Sequence, residues 1–172
     1  GQRPFAYAAP SGFKALCTQN LPDPAIVKPS SYFDIDTYAG TAATRTKTGI
    51  GFQPDLNWFK SRGRALDHAL YDSVRGVEKR LESNNTDAEV TGDTTGLTAF
   101  TSDGYTTGAL DQINGTTATN SFVSWMWKES VTAGLDTVSC TGGTSADQLA
   151  HASGVAHGLG VAPSMIILKA TS

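Results

Sequence analysis

One stretch of this chain occurs twice, and the repetition limits what the chain can fold into. Gly49-Ile-Gly-Phe-Gln-Pro-Asp-Leu-Asn-Trp-Phe-Lys60 is answered near the other end by Gly158-Leu-Gly-Val-Ala-Pro-Ser-Met-Ile-Ile-Leu-Lys169, with both glycines, the proline and the lysine at a constant offset. Upstream, Asp36-Thr-Tyr38-Ala-Gly40 has a looser echo in Val138-Ser-Cys140-Thr-Gly142. An offset of about one small-domain length predicts two copies of a single folding unit, the first complete and the second truncated.

Within the repeated stretch the chemistry is that of a turn feeding a strand. Glycines at 49 and 51 permit positive φ, and a proline without a donor belongs at a strand entrance. Beyond Pro54 the residues alternate, with Leu56, Trp58 and Lys60 on one face and Asn57 and Phe59 on the other. In the second copy Met165-Ile-Ile-Leu168 is apolar on both faces and predicts a strand buried between layers.

The same alternation recurs along the chain. Phe33, Ile35 and Thr37 share a face opposite Tyr38. Residues 44–48 alternate hydroxyl with cation and predict a solvated edge strand. Residues 68–74 are strand-like, 77–81 are either a strand or one helical turn, and 96–100 and 104–108 are strands flanking a Ser102-Asp-Gly104 turn. Asn114-Gly115 is a further turn. It leads into residues 120–128, where Val123, Trp125 and Trp127 oppose Phe122 and Met126; this is the candidate central strand. Short strands, frequent turns and the absence of a helical period predict an all-β, antiparallel β-sandwich. The expected organisation is an extended terminal strand of an upstream module plus a proline-rich connector over 1–31, a complete sandwich over 32–130, and the beginning of an incomplete repeat over 131–172.

Composition narrows the partners. With 17% charged residues and a net charge of −3, the 172-residue chain offers no electrostatic case for nucleic acid. No apolar run approaches the length needed to insert in a membrane. Cys140 aligns with Tyr38 and is expected to pack; no bridge to Cys17 and no zinc-ligand spacing is assigned.

Residue patterns for catalysis are lacking. His68, His151 and His157 lie in separate segments without a Gly-x-Ser-x-Gly frame, and the aspartates favour no one pair. No catalytic residue, metal ligand or cofactor is therefore assigned, and the chain is expected not to be an enzyme. Asp72 and Arg75, among apolar neighbours, are expected to form a partly buried structural charge pair. The alternative is an anion-binding patch of Arg62, Arg64, Arg75, Lys79 and Arg80. Candidate carbohydrate-binding residues are Tyr71 and Tyr105 for stacking, with Asp103, Asn84 and Asn85 as polar partners, joined by Asn114 on its loop.

Several longer motifs resemble a known group. Residues 1–7, 12–16 and 20–24 resemble the junction that follows a SPRY-like module in structural proteins of tailed bacteriophages, notably marine ones. Residues 52–62, Asp72-Ser-Val-Arg-Gly76, Ser102-Asp-Gly-Tyr105 and Val123-Ser-Trp-Met-Trp-Lys128 resemble the repeat of the same proteins, departing at Tyr105 (Phe expected) and Met126 (Cys expected). The resemblance implies concanavalin-A-like or jelly-roll modules and a non-enzymatic virion protein. Its expected place is a tail-fibre or surface-fibre segment acting in assembly and host attachment. Alternatives are a lectin-like host-recognition module and a capsid decoration protein. Expected partners are other copies of the chain in a homo-oligomer, other virion proteins and a host surface glycan, and the expected location is the surface of the extracellular particle.

Overall fold

The computed structural model describes residues 10–12, 23–116, 121–141 and 155–172. Strands β1 (Phe33–Ala39), β9 (Ser121–Trp127), β3 (Leu56–Ser61) and β4 (Ala69–Asp72) form an antiparallel sheet in that spatial order. A second antiparallel sheet joins β2 (Arg45–Lys47), β8 (Gly104–Thr107) and β7 (Leu97–Thr101). A two-stranded ribbon pairs β5 (Lys79–Arg80) with β6 (Val90–Thr91). Among the described residues the helical pieces are a 3₁₀ turn (Pro29–Ser31) and one turn of α-helix, α1 (Asp111–Asn114).

The two larger sheets face each other across the core, so the fold is an all-β sandwich. β9 is a central strand because both its edges are paired, Phe33↔Trp127 on one side and Leu56↔Trp127 on the other. Its alternation sends Phe122, Ser124 and Met126 inward, where they are buried. From β3 and β4 come Phe59, Ala69 and Tyr71; from the opposite sheet come Leu97 and Tyr105. The rings meet edge to face, with Phe59 5.3 Å from Tyr105 and 6.0 Å from Tyr71 between centroids, the geometry that aromatic quadrupoles prefer.

The glycine-rich turn docks β3 onto the opposite sheet. Gly49 and Gly51 have φ of 81° and 83°, a region open to glycine at little cost. Their N–H groups donate to the two carboxylate oxygens of Asp103, at 2.9 and 2.6 Å, from the β7–β8 turn. Pro54 is buried just before β3, and Asp55 N–H then closes onto Trp127 O at 2.8 Å.

Several sequence expectations are corrected. The repeat recurs in the turn but not in the strand: the bends after Gly51 recur after Gly160, whose φ is 72°, yet residues 165–168 form no strand. They are not buried either, being between 62 and 75% exposed. The physical reason is pairing: β3 lies between β9 and β4, while residues 165–168 have no ladder partner among the described residues. Residues 136–140 likewise form no strand, and Cys140 is exposed rather than packed. Asn114 ends α1 instead of opening a turn, and its buried amide holds Thr41 N, Ala43 O and Gly108 O. Residues 79–80 are strand. β2 is an edge strand as expected, but its cations turn inward, Arg45 and Lys47 reaching the buried Asp36 at 2.6 and 3.7 Å. The terminal strand expected over residues 1–7, residues 8–9 and 13–22 of the connector, including Cys17, and His151 lie outside the described residues.

Candidate functional site

The outer face of the four-stranded sheet carries a cluster of aromatic side chains. Alternation on β3 and β9 turns Trp58, Trp125 and Trp127 away from the core, and the register places Trp58 directly opposite Trp125. Their rings stand edge to face, 6.4 Å apart at 76°. Phe33 of β1 lies against Trp127 at 5.2 Å, and Ile35 beside Trp125 is 48% exposed. An antiparallel sheet with one face in the core normally turns polar residues outward. Here the outward side is apolar, which makes it a candidate contact surface.

His68, just before β4, completes the cluster. Trp58 Nε1–H donates to His68 Nδ1 at 2.8 Å, so the neutral imidazole carries its proton on Nε2. Burial, followed by the neighbouring Lys60 ammonium, lowers the His68 pKa and favours that neutral form. Lys60 itself is spent on the carbonyls of Ser61, Arg64 and Leu66, at 3.0, 3.2 and 2.9 Å. Trp58, His68, Trp125 and Trp127 together line a shallow recess of about 270 Å³.

The residues that the sequence suggested for sugar binding do not build a site. Tyr71 and Tyr105 are fully buried and offer no ring face to a ligand. Burial also raises both phenol pKa values, and Tyr105 Oη donates to Asp36 at 3.2 Å. Asp103 is committed to the glycine turn, and those backbone donors lower its pKa. Asn84 accepts from His68 N–H at 2.9 Å and donates to Asp67 at 2.6 Å. Asn85 donates to Glu82 and accepts from Asp87 N–H. These loop residues hold their own loops. The tryptophans that do line a recess were each assigned to a strand face from sequence; what joins them is the β3–β9 register, which sequence alternation does not encode.

Of the basic residues suggested as an anion patch, Arg64, Arg75 and Arg80 are paired with carboxylates. Asp72 accepts from Arg75 Nε at 2.6 Å and also from Arg75 N–H at 2.8 Å. Arg75 Nη1 reaches Glu89 at 2.6 Å, Arg80 pairs with Asp93 at 2.6 Å, and Arg64 pairs with Asp111 at 2.5 Å. A smaller recess lies where Glu129, Ser130 and Leu135 meet Asp136 and Gly158. Gly158 N–H donates to Asp136, and Glu129 N–H to Asp55 at 2.8 Å. Burial, then the adjacent Asp136, pushes the Glu129 carboxyl up to about 7. No group of three or more His, Cys, Asp or Glu suited to a metal ion occurs among the described residues.

A family model described as Domain of unknown function (DUF7483) matches residues 28–172. No curated protein and no solved structure matches the chain.

Proposed function

The chain belongs to the DUF7483 domain family, and we propose that it is a non-enzymatic structural module of a tailed-phage virion, a fibre segment that makes its attachment contacts through the tryptophan face. The observation that carries this is the placement of side chains. The carboxylates of Asp36, Asp72, Glu89 and Asp93 are tied to arginines inside the fold, whereas the concentrated apolar surface, Trp58, Trp125, Trp127, Phe33 and Ile35, faces outward. Paired acids hold a scaffold; an outward aromatic cluster supplies contact area at small conformational cost. The phage assignment is supported by the motifs at residues 52–62, 72–76, 102–105 and 123–128, which resemble those of tailed-phage structural proteins.

The test is localisation. Antibody raised against the chain and applied to purified particles of the phage that encodes it should decorate tail fibres or another surface fibre. Labelling of the capsid shell would move the role to capsid decoration, and absence from washed particles would remove the virion role.

A further inference from the structure

We propose that the recess lined by Trp58, His68, Trp125 and Trp127 is a binding site for a neutral sugar, with the apolar face of one pyranose ring lying on indole. This deepens, and rests on, the attachment function proposed above. Three properties of the recess lead to it.

The first is aromatic stacking area that is apolar yet reachable from water. Three indoles and an imidazole line a shallow space of about 270 Å³, somewhat smaller than the ~300–1,000 Å³ typical of drug-sized ligand sites. A lipid chain calls for a deep, closed cavity. A flat ring with one C–H face and a rim of hydroxyls suits a shallow one.

The second is the polar chemistry around the rings. The indole side chains of Trp125 and Trp127 make ring contacts but no side-chain hydrogen bond with the described residues, and neither indole nitrogen is sealed from solvent without a partner. His68 accepts at Nδ1, so its second nitrogen is a donor. The cluster thus supplies N–H donors to a ligand rich in oxygen acceptors. No arginine or carboxylate lines the recess, and Lys60 is occupied by three carbonyls. The site therefore has nothing with which to neutralise a charged sugar, and selects an uncharged one.

The third is the backbone beneath it. β9 is paired along both edges, to β1 and to β3, so the recess floor presents no free strand edge on which an extended peptide could add. A ligand held there is held by ring faces and rim donors.

The experiment uses the 172-residue chain and three neutral probes: maltotriose, cellotriose and chitotriose. Binding is followed by tryptophan fluorescence and calorimetry. At least one probe should bind saturably, perturb tryptophan emission and keep its affinity from low to high salt. Trp125→Ala and Trp127→Ala should each weaken that binding about tenfold or more, while circular dichroism matches the parent chain. His68→Ala, which removes a rim donor and leaves the β3–β9 pair intact, guards against a tryptophan variant that fails to fold, and should also weaken binding. The proposal is overturned by no binding of any probe at tens of millimolar or by unchanged affinity in all three variants. Sugar binding by a chain missing from purified particles would refute the virion role alone; a chain present on particles that binds none of the probes would refute the sugar site alone.

Discussion

Arg75 stands between two carboxylates, Asp72 and Glu89, all three largely shielded from water. In this position the guanidinium joins the end of β4 to the loop before β6, so the arginine acts as a fastener. Truncating it leaves two desolvated carboxylates without a counter-ion, which costs far more than an exposed pair would. Arg75→Ala should lower unfolding stability by about 3–5 kcal/mol, read from urea denaturation midpoints; a loss below about 1 kcal/mol would show that solvent replaces the arginine. Asn57 presents the opposite case. It is fully buried on the inner side of β3, opposite Tyr71 and Met126, and neither atom of its amide finds a partner among the described residues. A buried, unsatisfied amide destabilises. Asn57→Leu, close in volume, should therefore raise stability by about 1–2 kcal/mol; a fall would mean that the amide is hydrogen-bonded in solution.

At the scale of elements, what alternation encodes was legible and what pairing decides was not. β3 and β9 follow from period-two patterns, β7 and β8 from the Ser102-Asp-Gly104 turn between them, and the faces assigned to Trp58 and Trp125 hold. α1 escaped because one helical turn is too short to show a period. The strand expected at residues 165–168 failed for a different reason: Gly160 shares the positive φ of Gly51, but a strand also needs neighbours. The sugar residues failed because aromatics on strands point either way, and Tyr71 and Tyr105 point inward. α1 also fixes the exit of β1. Tyr38 Oη donates to Ile113 O at 2.7 Å, and Ala42 N–H to Asn114 O at 2.7 Å. Between these bonds the backbones approach so closely that a Cβ on Gly40 would lie 1.7 Å from Gly115 O. Gly40→Ala should cost about 1–3 kcal/mol or more through forced backbone shifts, seen as a lower denaturation midpoint. An unchanged midpoint would show that the β1 exit is free to move.

For the molecule as a whole, the carboxyl pair Glu129–Asp136 lies within the segment after β9, which Glu129 N–H anchors to Asp55 of the sandwich. Asp55 and Asp72 also face Glu129, and His157 faces Asp136. Because the folded state holds the Glu129 pKa near 7, above the ordinary value of 4.5, folding favours its protonated form. Its contribution is complete below about pH 4.5 and is lost as pH rises through about 7. Asp136 shifts the other way, lowered chiefly by Gly158 N–H, so its contribution is lost only in acid. Glu129→Gln mimics the protonated carboxyl at every pH. Parent and variant should melt together at pH 5, and the variant should melt several degrees higher at pH 8. Comparing the two at each pH cancels His68, whose lowered pKa slopes oppositely. An equal difference at both pH values would place the Glu129 pKa in the ordinary range.

The middle of the larger sheet comes from the last strand of the sandwich. During synthesis β1 and β3 both emerge before their shared neighbour exists, and the gap between them closes only when residues 121–127 arrive. Assembly is thus governed by distant pairings, which places folding in the slow, millisecond-to-second range. A nascent chain halted before Trp125 would hold two open strand edges and half an aromatic face, a state prone to stick to its neighbours.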